Sequence, residues 1–318
     1  MNVPRTRRSE SSANGASGHG ALPESVPGRE RPALISVVIP VRNGERYIRH
    51  QLEALERQSY TGAFEVVVVD NGSTDGTRRA AEEFEGRLPT FRIVDASSRR
   101  GLNHARNAGA DAAMGDFLAF CDADDRVAPG WLEAMAEAAS GADIVGGALE
   151  FDELNDPLHQ AWRPSVQLTE LPVKHDFLVA LPGGNCGVWA DVARELGWDA
   201  SFTFGSSDIE WSWRAQLAGH RLAFAPGAVV SARFRTRKRE VARQWYEYGK
   251  SGGWLYRSFR RHGMPRTDTR AALREWRWLA VHVLDLVRSA EKRGYWVRVV
   301  AYRTGRVVGS VRWRVLFL

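Results

Sequence analysis

Short, wholly apolar runs alternate along this chain with segments whose apolar residues recur at helical spacing. The run Leu34-Ile35-Ser36-Val37-Val38-Ile39-Pro40 is β-branched and stopped by proline, as a strand buried on both faces should be. Asn43-Gly44 turns the chain. Ile48, Leu52 and Leu55 then repeat at i, i+4, i+7, which predicts a helix with one buried face. A second strand is predicted over 64–70, an all-valine run ending in Asp70, followed by a Gly/Ser/Thr/Asp turn and a helix. A third over 91–94 precedes a helix over 102–114, and a fourth over 117–121 runs into acidic residues. Pro129 sits where the next helix, 131–140, begins, and Gly141 stops it. Strands alternating with helices at this spacing predict an α/β fold on a parallel sheet covered on both faces.

Residues 150–231 are less regular. Pro157, Pro164, Pro172 and Pro182 cut them into short pieces, and Pro182-Gly183-Gly184-Asn185 reads as a turn or close-approach loop. A helix is predicted over 207–219 and a strand over 222–225. Beyond Arg233, Val241, Trp245, Tyr248, Tyr256 and Phe259 recur at near-helical spacing, as do Leu273, Trp276, Ala280, Val283 and Val287. In open α/β sheets ligands bind at the carboxyl ends of the strands. Here the segments 40–45, 70–76 and 122–125 all leave such ends and should meet at one edge.

Composition changes this picture in one respect. The 318 residues carry a net charge of +6, but residues 1–231 hold 22 Lys+Arg against 32 Asp+Glu, while 232–318 hold 22 against 6. An acidic body is joined to a basic tail. The expected organisation is a disordered segment over 1–32, rich in Ser, Gly, Pro and Arg, then a body over 33–231 with halves 33–150 and 151–231, then a basic helical region over 232–318. Two cysteines, Cys121 and Cys186, are too few for a disulfide framework or a structural zinc site and fit a reducing cytosol. No signal-peptide core and no run of 18 apolar residues is visible, so a cytoplasmic protein, at most peripheral on the inner membrane face, is expected.

Asp122-Ala123-Asp124-Asp125 is the most informative cluster. Three carboxylates in four residues repel one another, and a hard divalent cation bridging to phosphate oxygens would relieve the repulsion. In an extended segment Asp122 and Asp124 would face one ion; the plain alternative is an acidic turn capping the helix after Pro129. Asp70 can accept hydrogen bonds from a nucleobase edge, with Asp75 or Thr77 as helix caps. Around Gly101 and Arg106, arginines offer cations to a diphosphate, although Arg99 and Arg100 suit a solvated loop. Asp208, Trp211 and Ser212 share a helical face, an acid and an aromatic that suit a sugar acceptor or an ordinary amphipathic helix.

The motifs Val38-Ile39-Pro40…Asn43-Gly44-Glu45, Val69-Asp70-Asn71-Gly72-Ser73-Thr74-Asp75-Gly76-Thr77, Gly101…Ala105-Arg106-Asn107…Gly109 and Gly115-Asp116…Asp122-Ala123-Asp124-Asp125 occur in the order found in glycosyltransferase family 2, which the chain resembles over about 33–233. The resemblance implies a GT-A core (a Rossmann-like nucleotide-diphospho-sugar transferase), a nucleotide-diphosphate-sugar donor, a divalent metal (Mn or Mg) and inversion at the anomeric carbon. It assigns Pro40, Val41, Asn43, Glu45, Asp70, Gly101, Arg106, Asp122, Ala123 and Asp124 to the donor, with Asp122 and Asp124 on the metal. Gly184, Asn185, Glu210, Trp211 and Arg214 fall to the acceptor sugar, and Asp208 is the catalytic base that deprotonates the attacking hydroxyl.

The sequence departs from the family pattern at Ser207, where many relatives carry Glu; at Arg42, where an aromatic is common; and near Ala232, where the histidine of many relatives is missing, so that either metal binding is weaker or Arg233 meets the diphosphate directly. These departures motivate an alternative, a catalytically weak sugar-nucleotide-binding protein; a nucleotidyltransferase would need a longer glycine-rich loop than 41–44. The acceptor class implied is a glycan, such as a cell-envelope polysaccharide, or a lipid-linked sugar. The basic, tryptophan-rich tail suits an anionic membrane surface, or packs on the acidic body; without a binding motif, nucleic acid is not an expected partner.

Overall fold

A computed structural model of the chain describes residues 29–163, 170–202 and 205–318. The valine-rich runs form strands β1 (Leu34–Val41) and β2 (Ala63–Asp70), paired in parallel, with Val37 to Ile39 and Val66 to Val69 essentially inaccessible. Between them α1 (Ile48–Glu56) buries Ile48, Leu52 and Leu55, the three positions its period singles out. There follow α2 (Thr77–Glu82), β3 (Phe91–Asp95), α3 (Leu102–Ala112), β4 (Phe117–Cys121), β5 (Arg126–Val127), α4 (Trp131–Ala139), β6 (Ile144–Glu150) and α5 (Pro157–Trp162). Then come β7 (Val173–Lys174), β8 (Leu178–Val179), β9 (Asn185–Trp189), α6 (Ala190–Leu196), α7 (Ser207–Leu217) and β10 (Leu222–Ser231). Helices α8 (Lys238–Phe259), α9 (Thr269–Val281), α10 (Asp285–Arg288) and α11 (Ala290–Trp313) complete the chain.

Among the described residues the main sheet has the order β3-β2-β1-β4-β9-β6-β10-β5. It is mixed rather than parallel: β9 runs antiparallel to both β4 and β6, and β5 is antiparallel to β10. The strand responsible, Asn185-Cys186-Gly187-Val188-Trp189, is five residues long and lacks a β-branched run, so its period carries no strand signal. The sheet's first half keeps the parallel order that matters for the site. Strands β2, β1 and β4 are neighbours and parallel, so their carboxyl ends share one edge. At the other end of the same strands the buried Glu65 carboxylate accepts from Ser36 Oγ and the Met114 N–H and pairs with Arg92, which occupies it structurally.

The disorder expected for 1–32 lies outside the described residues up to 28. Arg29 is anchored, its guanidinium paired with Asp143 and Asp191 at 3.1 Å and lying 4.9 Å over the Trp189 ring.

The basic tail packs on the body through a second apolar core. Trp213, Leu255, Tyr256, Phe259, Met264 and Phe317 cluster together, with Ile209 and Trp254 against them. Helix α7 is the joint: Trp211 stacks on Trp198 in the main core (centroids 4.7 Å apart), whereas Trp213 belongs to the second. Helices α8 and α11 approach so closely that a Cβ on Gly249 would strike the Tyr302 carbonyl, and one on Gly305 the Tyr246 carbonyl. Replacing Gly305 by Leu should force the pair apart and destabilise the protein by about 1–3 kcal/mol, the range for overpacking. A urea midpoint unchanged from wild type would show that the helices do not depend on this contact.

Candidate active site

The loops leaving β1 and β2 are braced against each other by short polar side chains. Asn43, held at φ 53°, accepts from the Thr74 N–H through Oδ1 (2.8 Å), and its own N–H donates to Ser73 Oγ (3.0 Å). Thr77 Oγ1 accepts from the Gly44 N–H, and the Glu45 carboxylate accepts from the Gly76 N–H. The brace explains why polar residues follow both strands. It also takes Glu45 out of the lining of the cavity that opens over this edge. Asp70 lies beside Val41 in the sheet register and accepts from the Ser73 N–H at 2.9 Å.

A cavity of about 230 Å³ opens over this edge, lined by Pro40, Val41, Asn43, Asp122, Ala123 and Asp124 with Arg42, Tyr47 and Arg235. It shares Arg42, Leu102, Asp122 and Arg235 with a larger cavity of about 750 Å³. The larger one reaches Gly101, Arg106, Gly183, Gly184 and Asp208. The structure therefore brings together, in two adjoining spaces, most of the donor residues, both carboxylates of the Asp-X-Asp motif and the expected base.

Asp122 to Asp125 form a turn, closed by an Asp125 N–H bond to the Asp122 carbonyl, not the extended segment expected. Asp122 and Asp124 still line one cavity because the turn curls around it. Loss of water raises the Asp122 carboxyl above its ordinary value; Arg106 opposes the rise and Asp124 adds to it, with smaller effects from Arg235 and Asp208. Asp125 is raised further, by burial first and then by Asp124 and Asp122; its carboxylate accepts from the Arg233 N–H at 2.8 Å.

Arg106 is 2% exposed on α3. It donates to the Gly183 carbonyl at 2.7 Å, stands 3.7 Å from the Asp122 carboxylate and lies 4.4 Å over the Trp198 ring. Gly101 precedes it at φ 147°, a conformation that side chains resist, with its N–H donated to Asn71 Oδ1. At Gly184 a Cβ would fall 2.5 Å from the Asp122 carboxylate, so only glycine lets this loop pass between Asp122 and Asp208. Asp208 stands in the first turn of α7, after Ser206 at φ 74°; Ser206 Oγ accepts from Ser251 on α8.

Four residues expected at the acceptor sugar line neither cavity. Asn185 is wholly buried, accepting from Trp131 Nε1 and donating to the Ala148 and Ala228 carbonyls. Glu210 pairs with Arg214 at 2.9 Å, and Arg214 also donates to the Leu196 and Gly197 carbonyls. Trp211 is 1% exposed in the core. Glu210 and Arg214 therefore fasten α7, and of the residues expected at the acceptor only Gly184 lines the cavity.

Sequence reasoning missed that α8 walls the cavity. Arg243, Gln244, Glu247 and Tyr248 close the 750 Å³ cavity, a role that the helical period of Tyr248 alone does not reveal. The two arginines after β10 are placed differently. Arg233 donates to the Asp124 carbonyl and lies over the Tyr47 ring, whereas Arg235 lines both cavities, 3.4 Å from the Asp124 carboxylate.

Among the described residues no group of three or more His, Cys, Asp or Glu is placed to hold a metal ion alone. Asp122 and Asp124 fit a hard divalent cation as two carboxylate donors crowded into one cavity, the remaining positions falling to diphosphate oxygens.

With this geometry in hand, the comparisons agree. The family model for glycosyl transferase family 2 matches residues 36–195, and the chain belongs to that family. Glycosyltransferase AglE of Haloferax volcanii is 34% identical over 202 residues, covering 62% of this chain and 66% of that protein. The pre-mycofactocin glycosyltransferase of Mycobacterium tuberculosis is 28% identical over 230 residues, 70% of this chain and 47% of that one. The chain thus spans from about half to about two-thirds of these curated relatives. Its fold is GT-A, similar to mannosyltransferase PcManGT from Pyrobaculum calidifontis, solved with GDP-Man and Mn2+, at TM-score 0.59 and 18% identity over 90% of this chain and 89% of that one.

Proposed function

We propose that the chain moves a sugar from a nucleoside diphosphate to an acceptor hydroxyl with inversion at the anomeric carbon. The observation that carries this is the position of Asp208. It lies across the Gly183-Gly184 step from Asp122, in the cavity that adjoins the nucleoside-sized space. In this reading the nucleobase enters beside Pro40, Arg42 and Asn43; Asp70, next to Val41 in the sheet register, is outside the cavity lining. The donor diphosphate meets Arg106 and Arg235. Asp122 and Asp124 would hold a divalent cation, Mn or Mg, which when bound supplies Lewis-acid stabilisation of the departing diphosphate. Asp208 accepts the proton of the acceptor hydroxyl as its oxygen bonds to the anomeric carbon and the bond from that carbon to the diphosphate breaks. The GDP-Man and Mn2+ bound to PcManGT support the donor and cation classes. Proton NMR of the first product from an α-linked donor tests the reading: a β-linked product is expected, and an α-linked one overturns inversion. Binding with no turnover favours the alternative, a sugar-nucleotide-binding protein.

The acceptor we propose is a glycan or lipid-linked sugar met at an anionic bilayer. No described helix is long and apolar enough to cross a membrane. Yet Leu273, Val281 and Val287 are 71–76% exposed, with Val283 and Leu284 between them and Arg274, Arg277 and Arg288 alongside. Exposed apolar residues interspersed along the chain with exposed arginines suit a headgroup layer. The protein should sediment with vesicles containing phosphatidylglycerol and not with pure phosphatidylcholine. The double variant Val281→Asp, Val287→Asp should lose most of that binding; retention equal to wild type removes this face from the account.

A further inference from the structure

The space around Asp208 continues past the donor. Ser206, Asp208 and Tyr248 line both the 750 Å³ cavity and a second one of about 400 Å³. Trp245 and Tyr302 line the second and a third, of about 490 Å³, which adds Trp278, Tyr295 and Arg298. Neighbouring spaces therefore share walls in a row from the expected base out between α8, α9 and α11, and each outer one is within the ~300–1,000 Å³ of pockets for drug-sized ligands.

Aromatic rings line this path. Tyr248 and Trp245, three residues apart on α8, have centroids 5.6 Å apart; Trp245 and Tyr302 are 6.1 Å apart, and Trp278 and Tyr295 are 5.5 Å apart. Between the two groups the Arg298 guanidinium lies 4.6 Å over Trp245 and 4.7 Å over Tyr295, and its buried Nε has no hydrogen-bond partner. Arg163 lies 5.7 Å over the same indole, and the exposed Lys174 lines the middle space. The groove's own acid, Glu275, is paired with Arg303, and burial with Arg306 and Lys174 nearby pushes His175 down to about 4, leaving it neutral. Beyond Asp208 the path is thus aromatic and cationic.

We infer that this groove is an acceptor subsite for an anionic glycan, in which sugar rings stack on Tyr248, Trp245 and Trp278 while carboxylate or phosphate groups on the sugars pair with Arg298 and Lys174. The apolar C–H face of a pyranose buries area against an aromatic face while its hydroxyls stay at the wet rim. An anion in the outer space meets the Arg298 guanidinium that lines it, a charge-assisted bond of the stronger kind. The occupant is an oligosaccharide because the path extends two cavities beyond Asp208. The inference rests on Asp208 as the base of the proposed transferase.

The test is a glycan array with neutral, uronate-bearing and phosphate-bearing oligosaccharides, followed by titration of the retained ones. Wild type should retain anionic chains of two or more sugars, whichever anion they carry, and release them as salt rises. Arg298→Gln should weaken binding about tenfold, the scale of a hydrogen bond to a charged group, and Arg298→Lys should restore most of it. Should Arg298→Gln melt early, Lys174→Ala at its exposed site should show a smaller loss in the same direction. Retention of neutral chains equally well, no anionic chain retained, or Arg298→Gln binding like wild type overturns the inference. Release of nucleoside diphosphate by wild type, measured separately, tells failure of this groove from failure of the transferase reading.

Discussion

An Asp208→Asn variant is expected to lose transfer by about 10²–10⁴-fold, the usual contribution of a general base, while binding the donor as wild type does. The substitution keeps size and shape, and Asn can still accept the Ile209 N–H bond that Asp208 Oδ1 holds at 3.0 Å. What it removes is the ability to take a proton. Donor contacts are assigned to the other side of the Gly183-Gly184 step, so the loss should appear in kcat and not in the Kd of the nucleoside diphosphate. A variant with wild-type kcat removes Asp208 from the chemistry; one that loses donor binding in parallel makes it a structural residue of the cavity.

The second large effect is expected at Asp124. Asp124→Ala should abolish the part of donor binding that depends on manganese, a loss of about 10–100-fold on the scale of bonds to charged groups. The backbone contact of Asp124 with Arg233 survives the change, because it uses the carbonyl. Arg235, 3.4 Å from the lost carboxylate, is left to face the diphosphate, so donor binding without metal should persist. Titration with and without manganese separates the two components. An undiminished manganese effect in the variant places the cation elsewhere.

Much of this was legible in the sequence wherever local chemistry decides local structure. The valine runs of β1 and β2 have no alternative to burial on both faces, and the polar turns after them follow from where a parallel sheet ends. The convergence of residues 40–45, 70–76 and 122–125 follows from the same rule. Illegible were features set by distant partners. Strand β9 is a strand because β4 and β6 flank it, not because of its composition. Glu210 and Arg214 have the spacing of a site but are spent on each other and on the carbonyls of residues 196 and 197. Tyr248 and Trp245 repeat as an apolar helical face, and nothing local says that this face closes a cavity rather than a core. That Arg235 and not Arg233 lines the cavities was equally hidden, since Arg233 lies over the distant Tyr47 ring.

The central claim is tested most directly by a screen of sugar nucleotides against the wild-type chain, with and without manganese, read by thermal shift and by release of nucleoside diphosphate. A ligand that binds the folded state alone stabilises it by about 2.7 kcal/mol at a hundred times its Kd, so the donor identifies itself without knowledge of the acceptor. The account predicts that one donor class raises the melting temperature, more so with manganese, and is turned over to its nucleoside diphosphate. Stabilisation by no donor under either condition, with no diphosphate released, contradicts it.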